Sequence, residues 1–257
     1  MRLLSWNVAG RVGRQGEQAE AVAGVAADLV ALQEVSPRTL PLWRRALAEA
    51  GFAACESALD QVPPASGRRR LLGVLTAARE PLERLAPPSG LPWPERVLCC
   101  RLGEIDVINV HSPIAPAPDL AKIRTHEAVA AHLAAAPGGV RILCGDLNTP
   151  RRELPDGDVM TFAYTSAGRL RPERGERWDR AERALVHTLR DHGWIDAFRA
   201  LHGYGEREAS WRFKDDRGGW RLDHALLYGL RPIASAYAHE WRRAGLSDHS
   251  ALVVDLE

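Results

Sequence analysis

Eight polar residues stand at the ends of apolar runs, and their types are those that bind hard cations and exchange protons. Asn7 closes the run that begins at Arg2, and Glu34 follows Leu29-Val30-Ala31-Leu32. His111 follows Val107-Ile108-Asn109-Val110, and Asp146 with Asn148 follows Ile142-Leu143-Cys144. Asp223 lies within the run 220–227, and Asp248-His249 stands just before Ala251–Leu256. Singly, each has an ordinary reading: Asn7 as a turn former, Asp146 as a cap, His111 as a packed core histidine. Together they form a set of carboxylates, amides and imidazoles that is costly to desolvate unless a cation or a substrate joins it.

The elements that must position this set read as mixed α and β. Strands are predicted over 2–8, 29–32, 71–76, 96–102, 105–110, 140–144, 220–227 and 251–256. Helices are predicted over 18–27, 40–51, 120–135 and 181–192, the second stopped by Gly51. The neighbouring strands near 96–110 imply hairpins rather than parallel crossovers alone. Segments 61–70 and 150–180 are rich in prolines, arginines and turn formers and read as surface loops. No sequence repeat is visible, although strand–helix units in both halves leave room for a structural one. A sheet built this way aims all eight polar residues at one edge.

At 257 residues, 46% hydrophobic and 26% charged, the chain supports one large core, and a single domain over 1–257 is expected. The net charge is only +1, which excludes a generic electrostatic grip on DNA or membrane through the total charge. Lys122 and Lys214 are the only lysines among 34 basic residues, an arginine bias matching a GC-rich coding sequence. Cys55, Cys99, Cys100 and Cys144 lack metal-site spacing and read as buried thiols of a reducing compartment. The N-terminus has no signal-peptide pattern and no apolar run reaches the ~20 residues of a membrane span, so a cytoplasmic monomer is expected.

Six strings carry a specific resemblance: Ser5-Trp6-Asn7, Leu32-Gln33-Glu34, Asn109-Val110-His111-Ser112, Gly145-Asp146-Leu147-Asn148, Arg221-Leu222-Asp223 and Ser247-Asp248-His249. In this order the chain resembles the endonuclease/exonuclease/phosphatase superfamily from residue 5 to residue 249. The resemblance implies a deoxyribonuclease I-like α+β sandwich of four layers, two packed and mostly antiparallel sheets flanked by helices. It also implies Mg²⁺-dependent phosphoester hydrolysis, with Mn²⁺ as a substitute. Glu34 would hold the ion, helped by Asn7 and Asp248, as suits a cation that prefers oxygen ligands. Asp146 would deprotonate the attacking water, Asn148 would hold the phosphate, and Asp223 would orient His249 toward the developing charge. His111 would contact the phosphate or assist the leaving group.

Around Trp211, Trp220 and Leu222 the sequence is similar to the exonuclease III branch, where such residues line a pocket for a flipped abasic sugar. The alternative is that both tryptophans pack between the sheets. His111 stands where that branch has tyrosine, and histidine there resembles deoxyribonuclease I and lipid phosphodiesterases. DNA is therefore the expected partner, with a small phosphodiester as the alternative. Arg68-Arg69-Arg70, Arg151-Arg152, Arg212 with Lys214, and Arg242-Arg243 would contact DNA phosphates if they share the active face. His224 reads as structural because strand alternation turns it away from Asp223, and His126 and His132 lie on a predicted helix.

Overall fold

The structure is a computed structural model that describes residues 1–61, 70–135, 138–213 and 217–257. Arg68, Arg69 and Lys214 lie outside the described residues. The strands are β1 (Arg2–Asn7), β2 (Leu29–Val35), β3 (Ala54–Ser57), β4 (Gly73–Ala78), β5 (Leu82–Arg84), β6 (Val97–Leu102), β7 (Ile105–His111) and β8 (Val140–Asp146). Then come β9 (Arg152–Glu153), β10 (Val159–Met160), β11 (Ile195–Asp196), β12 (Trp211–Arg212), β13 (Gly219–Trp220), β14 (Asp223–Tyr228), β15 (Pro232–Ala238) and β16 (Ala251–Leu256). The helices are α1 (Gln15–Gly24), α2 (Leu40–Glu49), α3 (Ala121–Ala135), α4 (Gly175–Val186), α5 (Ala197–His202) and α6 (His239–Arg243).

Twelve strands form two six-stranded sheets, ordered β15-β16-β1-β2-β4-β3 and β11-β14-β8-β7-β6-β5. Each has one parallel pair at its centre, β1 with β2 and β7 with β8, and antiparallel neighbours elsewhere. The repeat absent from the sequence is thus present in the sheet order. Alternation assigns the faces: Leu3, Ile142, Cys144 and Ala225 point into the core between the sheets, while Leu4, Trp6, Ile108 and Leu143 point outward. The outward side chains are covered by helices, α1 and α2 on one sheet and α3 and α4 on the other. In α2, Leu40, Trp43 and Leu47 make the buried stripe, and Pro41 occupies the first turn, where a missing N–H costs little.

Several predicted boundaries shift. Helix α1 starts at Gln15 rather than residue 18, and β4 runs from Gly73 rather than 71. The segment 150–180 is more ordered than the predicted loop: it contains the β9–β10 ribbon and the first turns of α4, which begins at Gly175 and ends at Val186. Charge hides this helix in the sequence, since Arg and Glu fill its exposed face and only Trp178, Ala181, Glu182 and Leu185 are buried. Cys99, Cys100 and Cys144 are buried free thiols and Cys55 is half-buried. Among the described residues no helix is long and apolar enough to cross a membrane.

The parallel pairs bring polar residues to a common edge. Asn7 pairs with Gln33 at the ends of β1 and β2, and His111 pairs with Asp146 at the ends of β7 and β8. Because β14 runs antiparallel to β8, its first residue Asp223 pairs with Asp146. Gly145 makes this approach possible: it holds φ +125°, and a Cβ there would lie 2.0 Å from the carbonyl oxygen of Val110. Gly145→Ala is expected to destabilise the fold by about 2–4 kcal/mol through strain and overpacking. Chemical denaturation checks this, and a loss below about 0.5 kcal/mol would contradict the close strand approach.

Candidate active site

Asp146 is the centre of the edge. Its Oδ2 accepts a hydrogen bond from Asn7 Nδ2 at 2.9 Å, and its Oδ1 accepts one from the backbone N–H of Asn148 at 2.9 Å. Asn7 is itself fixed, its Oδ1 accepting from Ala9 N and its carbonyl accepting from Ser247 Oγ at 2.6 Å. Asn148 sits in the left-handed region at φ +51°, and its Nδ2 donates to Ser112 O at 2.8 Å. Beside Asp146, His249 Nε2 lies 3.8 Å from Oδ2, while His249 Nδ1 is bound to Asp223 Oδ2 at 2.8 Å. The Asp223 loop is held from behind: Ser210 Oγ accepts from the backbone N–H groups of Leu222 and Asp223, and Tyr237 donates to the Asp223 carbonyl.

Glu34 reaches the same place by a local exception to strand alternation. Leu32 points outward to the helices, so Glu34, two residues on, would point outward too. Instead the β2–β4 register slips between Leu32 and Val35, and Glu34 takes φ +59°, which turns its carboxylate to the edge. Its Oε1 lies 3.4 Å from Asn7 Nδ2 and 3.5 Å from His111 Nε2, and Arg70 stands 3.7 Å from its other oxygen.

Burial sets the proton inventory. It pushes the Asp146 carboxyl up to about 7, with the Asp223 charge adding to the shift and His249 and Asn7 opposing it. Burial alone would lower the His249 imidazole, but the Asp223 and Asp146 carboxylates outweigh it and hold it up at about 10. Burial, reinforced by Arg96, drives His111 well below its ordinary value, so this ring is neutral. The edge therefore pairs an acceptor that titrates near neutrality with a protonated imidazole, the division of labour that acid–base catalysis needs.

Two groupings could hold a cation. Asp146, Asp223 and His249 present ligand atoms within 4.8 Å of one another. Here the imidazole already carries a proton and spends Nδ1 on Asp223, so this grouping works as an ion-paired acid–base set. Glu34 and Asp146 fit a cation better: both carboxylates lie against Asn7 Nδ2, Asp146 at 2.9 Å and Glu34 at 3.4 Å, and Glu34 keeps 21% of its side chain exposed for access. A hard divalent ion suits that donor set.

The other predicted residues lie close by, with differences. Asp248 is exposed, and its Oδ2 accepts from Trp211 Nε1 at 3.3 Å, so it adjoins the aromatic residues as well as His249. Trp211 and Trp220 are half-exposed rather than packed between the sheets. They stack at 5.1 Å with a 10° tilt, and Trp211 pairs with His249 through a backbone bridge. Leu222 is buried at 4% exposure. His111 is 1% exposed, with both ring nitrogens within 2.9 Å of Arg96 Nη1 and Nε2 3.5 Å from Glu34 and 3.8 Å from Asp146. His224 faces away as expected, bound to Asp196 and to the Thr149 carbonyl. His126 is a core residue bonded to Ser112 Oγ at 2.8 Å.

Sequence reasoning missed the supports. Arg221 ties Glu153 at 2.5 Å and Asp196 at 2.7 Å, and Arg199 ties Glu153 at 2.6 Å, a buried charge network that fixes the approach to Asp223. The Glu153 carboxyl is held down to about 2: burial would raise it, and Arg221 and Arg199 overcome that. Lys122, 1% exposed, donates to Asn148 O at 2.7 Å and to Glu182 at 2.5 Å. One signal was available: one of only two lysines in an arginine-rich chain, flanked by Ala121 and Ile123 on a helix.

Two packed sheets with a carboxylate–imidazole set at their shared edge are the framework of a metal-dependent phosphoesterase. The chain belongs to the Endonuclease/Exonuclease/phosphatase family, whose model matches residues 4–249. Members of that family are metal-dependent hydrolases, nucleases and phosphatases among them, and this chain is such a hydrolase. Similar solved structures include an AP endonuclease from Archaeoglobus fulgidus, with TM-score 0.75 and 21% identity over 100% of this chain and 99% of that one. A 3′-5′ exonuclease from Neisseria meningitidis gives 0.68 and 21% over 100% of both chains. A humanized D. rerio TDP2 gives 0.67 and 15% over 100% of this chain and 98% of that one. No curated protein matches the sequence.

The ion pair to Asp223 generates a pH prediction. Since the folded His249 is raised to about 10 from an ordinary 6.5, its contribution to stability is complete below about 6.5 and lost as pH rises through 10. Asp223→Asn should bring the His249 imidazole titration, followed by NMR in the metal-free protein, down by more than one pH unit. An unchanged titration would show that Asp223 does not hold the proton.

Proposed function

We propose that the chain is a Mg²⁺-dependent DNA phosphodiesterase acting at abasic sites or at 3′ ends. The observation that carries this reading is the stacked Trp211–Trp220 pair beside His249, with Asp248 bonded to its indole. A flat aromatic face next to a phosphoester site suits a nucleoside: a base stacks on it, or a baseless sugar lies against it over Leu222. The DNA substrates named for the fold neighbours, an AP endonuclease and a Neisseria 3′ phosphatase bound to a product DNA hairpin, support the same reading.

The residues then divide the work. Asp146 takes a proton from the attacking water as the water oxygen bonds to phosphorus and the bond to the leaving oxygen breaks. His249 donates to a non-bridging oxygen as charge grows there, and Asp223 keeps its proton in place. Asn148 presents its amide at the same phosphate once it leaves Ser112 O. Glu34, helped by the Asp146 carboxylate on the other side of Asn7 Nδ2, would hold the ion, which when bound would neutralise charge on the phosphate and leaving group. The near-neutral net charge, and histidine at position 111 where the exonuclease III branch has tyrosine, permit a second reading, a small phosphodiester.

The test presents a duplex with one abasic-site analogue, an undamaged duplex, and a 3′-recessed duplex, each with Mg²⁺ or with EDTA. Mg²⁺-dependent incision at the lesion or loss of 3′ nucleotides is expected, and Asp146→Asn should reduce either by about 10²–10⁴-fold. Failure to cut any duplex, with turnover of bis(p-nitrophenyl) phosphate, would favour the small phosphodiester. Wild-type rates in Asp146→Asn would overturn the assigned base.

A further inference from the structure

Three half-exposed arginines gather around Phe162, next to the Asn148 loop. Arg151, three residues after Asn148, has its guanidinium 5.8 Å over the Phe162 ring. Arg174 donates to the Phe162 carbonyl oxygen, and Arg171 Nε lies 3.5 Å from the Tyr164 carbonyl oxygen. Phe162 in turn packs edge-on against Trp220, with ring centroids 5.0 Å apart, so the cluster continues the aromatic face that begins at His249. Lys122 joins the same ring to the active-site loop, its Nζ lying 4.8 Å from the Phe162 ring and 2.7 Å from Asn148 O.

Charge balance is unusual here. Many surface arginines of this chain are matched by carboxylates, as Arg177 is by Glu127 at 2.8 Å. Arg151 makes no hydrogen bond or ion pair with any described residue, and the charges that act on it are those of Arg171, Arg174 and Arg152. Partial burial and these like charges hold the Arg151 guanidinium below its ordinary value, and burial with Arg171 does the same to Arg174 against the opposing charges of Glu182 and Glu173. Among the described residues the one carboxylate that pairs with Arg171 is the exposed Glu173, at 3.4 Å. A half-buried guanidinium set among others of its kind is stabilised by an anion, and planar guanidinium is the group that matches phosphate oxygens.

We propose that Arg151, Arg171 and Arg174 bind a phosphate next to the scissile one on a nucleic-acid strand, guiding the strand from the Asn148 loop past Phe162 to the tryptophan face. This rests on the DNA reading above and adds to it a requirement for a substrate long enough to carry a flanking phosphate. A mononucleotide or small diester placed at Asp146 would leave the cluster unused.

The experiment measures binding of a fluorescent single-stranded oligonucleotide to the Asp146→Asn protein by anisotropy across 50–300 mM salt, with and without Arg151→Gln/Arg171→Gln. The added pair should weaken binding at least tenfold at low salt and reduce the salt slope by about 0.7 for each phosphate that is no longer neutralised. Arg151→Lys should recover part of the slope, and thermal melting verifies that each variant is folded. An unchanged affinity and slope, or no binding by the parent, would overturn the proposal. Its failure is distinct from failure of the DNA reading: a wild type that cuts DNA while the variants bind normally refutes the arginine cluster alone. Cleavage of small diesters only refutes the DNA reading.

Discussion

Burial of the Asp146 carboxylate is the constraint around which the molecule is organised. A carboxylate at 1% exposure requires partners, and here they come from four separate parts of the chain. Asn7 and the Asn148 amide donate to it, and the imidazolium of His249 stands 3.8 Å away with Asp223 behind it. Two buried carboxylates share one imidazolium, and Asp223 Oδ1 has no hydrogen-bond partner among the described residues. The deficit of positive charge is structural, and it matches a site that works only after a cation has entered.

Such a deficit is tolerated because a graded polar layer separates the site from the apolar core. Below Asp146 the inward positions change from Leu3, Ala31 and Val107 to Ser5, Gln33 and Asn109. Gln33 donates to Asn109 Oδ1 at 2.9 Å across the two sheets, and Asn109 donates to the Leu75 carbonyl at 2.9 Å. These bonds lock the separation of the sheets at the point where Asp146 and Asn7 must meet. They make the edge rigid, which is the condition for catalytic groups to hold their geometry without reorganising.

The strand ends were legible in the sequence because alternation is local: an apolar run that stops at Asn7 or Asp146, or starts just after His249, announces an edge. The positions that broke alternation were not legible. Glu34 reaches the site only through a bulge and a left-handed backbone, which nothing in Leu32-Gln33-Glu34 announces apart from the family resemblance. The supporting charges were invisible for another reason. Glu153 and Arg221 are 68 residues apart, and each reads as a surface residue until the fold brings them to 2.5 Å. The tryptophans show the same limit, since spacing along the chain gave their neighbourhood and only the β12–β13 ribbon shows that they stack and face solvent.

A net charge of +1 conceals a marked separation of sign. The centre of the edge is acidic, with Glu34, Asp146 and Asp223 gathered around one imidazolium, whereas its rim carries Arg70 beside Glu34 and Arg96 beside His111. Over a Debye length of about 8 Å at physiological salt, an approaching ligand responds to these local charges and not to the total. An acidic centre attracts a metal ion and repels a bare phosphate, and the arginine rim does the reverse. The two fields conflict for either partner alone and agree for a phosphoester arriving at a metal-loaded site. Cation first and anion second is therefore the order of binding that this charge distribution favours.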